Sequence, residues 1–157
     1  MSNWSPWSRW FGSTSNRTFI VWPLALAAAE TLLQGGWPNL NVWALPLLAW
    51  GYLQYRLTGN LRLRKGRGGP GIAVPPERLV VDGPYRVTRN PMYLGHLIFL
   101  LGLALLLGSW LAGVVLAWHT WWFDRRVRDD EARLAELFGA EYRRYQARVK
   151  RWLPGIY

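Results

Sequence analysis

Apolar residues in this chain come in long runs separated by charged blocks. Residues 18–55 carry one charge, Glu30, and residues 90–123 carry none. The remaining charges fall in the N-terminal segment, in residues 56–89 and in residues 124–157. This pattern predicts an all-α integral membrane protein with about four transmembrane helices. A first span is expected over 18–36, with Pro23 near its start, where proline is tolerated, and Gly35-Gly36 at its end. A tight turn at Trp37-Pro38-Asn39 leads to a second span over 41–57, kinked at Pro46, with Tyr52, Tyr55 and Arg56 at its exit. Residues 91–107 and 111–123 form an apolar pair split by Gly108-Ser109-Trp110. One continuous helix over 91–123 would be ~50 Å long, against the ~30 Å of a bilayer core, whereas each half is ~20–26 Å. The pair is therefore read as a short helical hairpin, tilted or partly re-entrant.

Beyond residue 123 the pattern changes to a charged helix. Leu134, Phe138, Tyr142, Tyr145 and Val149 recur at spacings of four and three, which places an apolar stripe on one face of an amphipathic helix over 124–149. Gly139 interrupts it and marks a bend. The chain then divides into an interfacial N-terminus (1–17), two spans (18–57), a cytoplasmic loop (58–90), the hairpin (91–123) and a cytoplasmic helix and tail (124–157). All belong to a single domain spanning 1–157.

Charge alters this picture only by orienting it. The net charge is +10, which in a soluble protein would suggest nucleic acid. Here Arg9 and Arg17 precede the first apolar run, and the other Lys and Arg residues fill the 56–89 block and the tail. The turns at 35–41 and 107–111 carry none. That is the positive-inside pattern for four crossings with both termini cytoplasmic, as in a bacterial inner membrane, and attraction to anionic lipid explains the charge without nucleic acid. The 12 Trp residues suit interfacial belts. The absence of cysteine excludes disulfides, thiolate metal sites and a cysteine nucleophile, and no metal is expected.

The candidate chemistry gathers in Gly83-Pro84-Tyr85-Arg86-Val87-Thr88-Arg89-Asn90-Pro91-Met92-Tyr93-Leu94-Gly95-His96. Pro91 biases Asn90 away from the α region, so a helix begins at or just after Pro91. Its open N–H groups, with Arg89 beside them, form a natural place for an anion. Tyr93 and His96 lie three apart and share a helix face. The basic stretch Arg62-Leu63-Arg64-Lys65-Gly66-Arg67-Gly68-Gly69 lacks the Gly-Lys-Ser/Thr ending of a phosphate cradle and reads as a linker. Glu30 is expected near the far interface within reach of water, and His119 is expected to be a packing residue. Asp129, Asp130 and Glu131 form an acidic patch just past the hairpin, either a solvated face with i,i+4 pairs or part of a site.

Two ordered motifs carry a family resemblance. Pro75-Pro76-Glu77-Arg78-Leu79-Val80, then Gly83-Pro84-Tyr85 and Arg89-Asn90-Pro91-Met92-Tyr93-Leu94-Gly95, resembles the signature of the isoprenylcysteine carboxyl methyltransferase family and its phospholipid methyltransferase relatives. Asp130-Glu131, Leu134, Phe138-Gly139, Glu141-Tyr142, Tyr145, Val149, Arg151 and Pro154 is similar to that family's C-terminal pattern. Asn90 stands where eukaryotic members usually carry His, and Asp130-Glu131 where two Glu are usual.

The resemblance implies S-adenosyl-L-methionine as cofactor and methyl transfer to a membrane-embedded amphiphile, a prenylcysteine-type carboxylate or a lipid head group, on the cytoplasmic side. It supports Arg89, Pro91, Tyr93, Gly95 and Glu131 most directly as cofactor-binding residues; the chemistry of such a cofactor adds Tyr85, Asn90, His96, Asp130 and Tyr142, and Arg126, Glu131 and Arg89 are the candidate catalytic residues. Two other classes stay open. A sterol-type membrane reductase would place a dinucleotide phosphate on Arg62, Arg64, Lys65 and Arg67. A non-catalytic membrane protein would use the basic surface to bind anionic lipid.

Overall fold

In the computed structural model the described residues are 10–67 and 76–152. The glycine-rich part of the basic linker and the closing Leu153-Pro154 lie outside them. All regular structure among the described residues is helical, as the apolar runs predict. Four helices dominate: α1 Trp22–Gln34, α2 Leu45–Gly66, α3 Pro91–Leu107 and α4 Trp110–Arg148. Thr14–Asn16 and a π-helical turn, Arg17–Val21, lead into α1, and short 3-10 turns cover Val42–Ala44 and Gly83–Arg86.

The helix ends follow local chemistry. Gly35 closes α1 in the left-handed conformation (φ 68°), and the next amide, Gly36, donates to Thr31 O, a C-terminal cap that a side chain with Cβ would resist. Pro91 opens α3. Gly108, at φ 56°, separates α3 from α4, and the Ser109 Oγ caps α4 by accepting the Ala112 N–H at 3.1 Å. Pro46 lies in the first turn of α2, where its missing N–H costs nothing, so it does not kink the helix.

One boundary differs from the sequence expectation. The segment read as a loop from residue 58 is helical as far as Gly66. Leu, Arg and Lys there are good helix formers, and Thr58 keeps its hydroxyl on the Gln54 and Tyr55 carbonyls. The change from apolar to charged residues at Arg56 marks a change of surroundings rather than of backbone. The charged helix continues from the second arm of the hairpin, as expected, in the 39-residue α4, interrupted only at Gly139 (φ 50°, ψ −120°), the expected bend.

The chain forms two compact units. The first joins the chain up to Tyr52 with His96–Trp118. Its core is Leu26, Leu100, Leu103, Leu107 and Ala112, with Trp22, Leu48 and Val115 against it. Gly102 lets α3 approach α2 closely: a Cβ there would lie 2.9 Å from Leu48 N. Glu30, expected in reach of water, is instead buried, its Oε1 accepting the Ser109 hydroxyl and its Oε2 accepting from Gln34. The second unit joins Leu53–Gly95 with the chain from His119 onward and contains the chemistry.

Among the described residues no helix is both long and apolar enough to cross a membrane. The reason lies in the lengths and charges of the helices. α3 is the most apolar but has 17 residues, whereas α2 and α4 are long but become charged from Arg56 and Asp124 onward.

Candidate functional site

The two sequence motifs meet at one carboxylate. Glu131, on α4, is buried (4% exposed), and five donors converge on it. Its Oε1 accepts Arg89 Nε at 2.9 Å and Asn90 Nδ2 at 3.3 Å. Its Oε2 accepts Arg89 Nη2 at 3.0 Å and, from Arg151, Nη2 at 3.0 Å and Nε at 3.2 Å. Burial alone pushes the Glu131 carboxyl up, but the bonds and charges of Arg89 and Arg151 outweigh it and hold the group below the ordinary carboxylate range.

Arg89 is placed by the restricted backbone ahead of Pro91. Besides its fork on Glu131, its Nη1 donates to the carbonyls of Gln146 (3.2 Å) and Val149 (2.7 Å) at the end of α4. A guanidinium has five N–H donors, and this one directs four bonds into the protein. The anion-facing Arg expected beside the α3 N-terminus is therefore committed to interior partners.

A second chain of bonds runs beside it. Tyr93, in the first turn of α3 and 6% exposed, donates its hydroxyl to Asp130 Oδ2 at 3.0 Å and accepts Arg126 Nε at 3.1 Å. The Arg126 guanidinium also lies over the Trp122 ring, 5.5 Å from its centroid, within the roughly 6 Å reach of a cation–π contact. Its two Nη nitrogens bond no protein acceptor among the described residues, so they remain able to fork on a ligand carboxylate. Asp130 is raised above its ordinary value by burial, against the lowering effect of Tyr93, Arg126, Arg133 and Arg62.

The other expected site residues divide. Tyr85 lies in the Gly83–Arg86 turn, half-buried, with burial pushing its phenol up to about 12. Its carbonyl accepts the Tyr145 hydroxyl at 2.6 Å. Tyr142 is fully buried beside Tyr145, on the face the apolar stripe predicts, and burial raises both phenols. Pro91 and Gly95 are buried in α3. His96 falls in the first unit, where it stacks on Phe19 at 4.8 Å. His119 is buried against Trp122 and Phe123, the packing role expected of it. Arg151 was legible only as part of a C-terminal pattern. Nothing in its local sequence marks it as a partner of Glu131, 20 residues earlier.

Residues 71–141 match the family model described as phospholipid methyltransferase. Over this stretch the chain is similar to phospholipid and isoprenylcysteine methyltransferases. The protein-S-isoprenylcysteine O-methyltransferase of Schizosaccharomyces pombe is 35% identical over 79 residues, which are 50% of this chain and 34% of the relative. The probable protein-S-isoprenylcysteine O-methyltransferase of Oryza sativa subsp. indica is 35% identical over 81 residues, 51% of this chain and 42% of the relative. The Saccharomyces cerevisiae protein-S-isoprenylcysteine O-methyltransferase is 38% identical over 79 residues, 50% of this chain and 33% of the relative. The chain thus spans well under half the length of these relatives. The methyltransferase-family stretch includes Arg89, Asn90, Tyr93, Arg126, Asp130 and Glu131, whereas Gln146, Val149 and Arg151 lie beyond it.

Proposed function

We propose that the chain is an S-adenosyl-L-methionine-dependent methyltransferase acting on a membrane-embedded amphiphile, with a prenylcysteine-type carboxylate as the favoured acceptor. The single observation that carries this reading is the union of two motifs 42 residues apart on the Glu131 carboxylate, inside a stretch that matches the family. The whole chain, 1–157, is read as one functional domain at the cytoplasmic face of a bacterial inner membrane, both termini on that side. The apolar runs, the Trp content and the distribution of Lys and Arg support membrane attachment, with the lipid portion of the acceptor entering from the apolar side.

The residues present fit this cofactor. Its sulfonium and amino group are cations, and Asp130 together with the aromatic rings of Tyr93, Tyr85 and Tyr142 offers them charge and π faces. Glu131 and Asn90 hold the loop ahead of α3, whose first-turn N–H groups suit a carboxylate. When held there, the cofactor would supply an electrophilic methyl group on its sulfonium, with a neutral thioether as the leaving group.

The protein's own contribution is placement and exclusion of water. A carboxylate acceptor is already ionised at neutral pH and requires no base. Arg126, held at Nε by Tyr93 and on its face by Trp122, would orient the acceptor oxygens through its Nη edge. Arg89, engaged with Glu131 and two carbonyls, would organise the site rather than touch the acceptor.

Calorimetry on detergent-purified protein tests the reading. S-adenosylmethionine and S-adenosylhomocysteine should bind at micromolar concentration, Glu131→Ala should abolish that binding, and NADPH should not bind. NADPH binding alone would favour the reductase reading, and failure of all three ligands with folded protein in lipid would favour the lipid-binding one.

A further inference from the structure

The Glu131 carboxylate offers about four lone-pair positions and already receives five donors. Two of the five belong to Arg151, which lies outside the family-matched stretch. α4 ends at Arg148, and once the Val149 N–H has made a last helical bond to Tyr145 O, no helical geometry dictates the course of residues 150–152. Their course is fixed instead by bonds to the motif ahead of α3. Arg89 N donates to Lys150 O at 3.0 Å. Thr88 Oγ1 (2.8 Å) and Asn90 Nδ2 (3.3 Å) both donate to Arg151 O. Arg89 Nη1 donates to Val149 O, and Trp152 Nε1 donates to Asp124 Oδ1 at 3.0 Å. All three consecutive residues Thr88, Arg89 and Asn90 therefore bond this irregular segment.

We infer that Arg151 is a positioning residue for the proposed methyl transfer: with the 149–152 segment it fixes Glu131, and through it Arg89 and Asn90, in the geometry that receives the cofactor. The inference rests on the methyltransferase reading. Without Arg151, Oε2 of Glu131 loses two of its three donors, and a buried carboxylate with fewer donors rotates or takes up a proton. Either response frees Asn90 Nδ2 and loosens the Arg89 fork, so the loop ahead of α3 loses its fixed position. A lysine at 151 restores a charge but donates from one point and does not reproduce the two-nitrogen contact. Arg151 touches no reacting atom in this scheme.

The test uses the full chain in detergent: wild type, Arg151→Gln, Arg151→Lys, Glu131→Gln and the Arg151→Gln/Glu131→Gln double variant. S-adenosylhomocysteine affinity is read by calorimetry, and the titration of the Glu131 carboxyl is read by carbon-13 NMR, which needs no cofactor. Arg151→Gln should weaken binding about tenfold and move the Glu131 titration upward, with Arg151→Lys intermediate. Glu131→Gln keeps one acceptor oxygen for Arg89 and so retains weakened but measurable binding, unlike Glu131→Ala; in that background the same Arg151 change should alter affinity less than about twofold, because the effect passes through Glu131. Equal losses in both backgrounds, or an unmoved Glu131 titration, would overturn the inference. Should Arg151→Gln not fold, Arg151→Lys carries the same comparison. Failure of the wild type to bind S-adenosylhomocysteine would refute the methyltransferase reading, and the positioning role of Arg151 in methyl transfer with it. The titration alone would then still decide whether Arg151 fixes Glu131.

Discussion

Arg89 holds Glu131 with both ends of its fork, Nε on Oε1 at 2.9 Å and Nη2 on Oε2 at 3.0 Å, across 42 residues of chain. The side chains are 10% and 5% exposed, so removing one partner leaves the other charge buried. Arg89→Leu should therefore destabilise the protein by about 3–5 kcal/mol in chemical unfolding. The Arg89→Leu/Glu131→Leu pair should recover much of that loss, because no isolated charge remains, while cofactor binding stays abolished. Recovery of stability without recovery of binding separates the fold from the function of this pair.

The pH dependence of the same contact has a definite sign. The folded-state pKa of Glu131 lies below its ordinary value of 4.5, so the unfolded chain takes up the proton more readily. The stabilisation is complete above that ordinary value and is lost as the pH falls through the lower folded value. Thermal midpoints between pH 7 and pH 3 should fall more steeply below about 4.5 in the wild type than in Glu131→Gln. Parallel curves would show that the carboxylate contributes no acid sensitivity.

Tyr93→Phe removes one hydroxyl that both donates to Asp130 and accepts from Arg126. A stability cost of about 1–2 kcal/mol is expected for the buried hydroxyl. On the proposed methyltransferase reading, methylation of an N-acetylated S-isoprenylcysteine should fall about tenfold, chiefly as a raised KM for the acceptor, because Arg126 loses its anchor while its charge remains. Steady-state kinetics with both substrates varied checks this. A loss confined to cofactor KM would instead assign Tyr93 to the cofactor.

Two glycines of α4 should respond with opposite signs. Gly139 sits at φ 50° and ψ −120°, which an L side chain resists, so Gly139→Ala should destabilise by about 1–3 kcal/mol although no atom lies near the added Cβ. Gly113 lies in helix with open space around it, and Gly113→Ala should stabilise by up to about 1 kcal/mol. Thermal or denaturant unfolding of the two variants gives the comparison.

Ser109→Ala removes the cap of α4 and one of the two partners of buried Glu30. The cap alone is worth about 1 kcal/mol, and the deprived carboxylate adds to the loss. Ser109→Ala/Glu30→Gln should be less destabilised than Ser109→Ala, because the uncompensated charge is then absent. A double-mutant cycle in denaturant measures the coupling.

Much of this architecture was legible in the sequence because it depends on local chemistry. Pro91, with its fixed φ and missing N–H, suits the first turn of a helix, Gly35, Gly108 and Gly139 adopt φ values that other residues avoid, and the stripe of Tyr142 and Tyr145 follows helical periodicity. The motif order around Arg89-Asn90-Pro91 and Asp130-Glu131 also pointed to the family. The end of α2 is not legible from charge, because a helix tolerates Arg and Lys as readily as Leu.

Tertiary structure alone decided the partners. No sequence spacing pairs Arg89 with Glu131, Arg151 with the same carboxylate, or Glu30 with Ser109, since each contact joins elements far apart in the chain. It also decided which arginine is committed and which keeps its Nη edge available, a distinction invisible among nineteen Lys and Arg residues. The sequence by itself determined where backbone must turn and which faces are apolar, because those preferences are set by one residue and its near neighbours. The placement of five donors on one buried carboxylate required the packed chain, because a buried charge finds its partners through space.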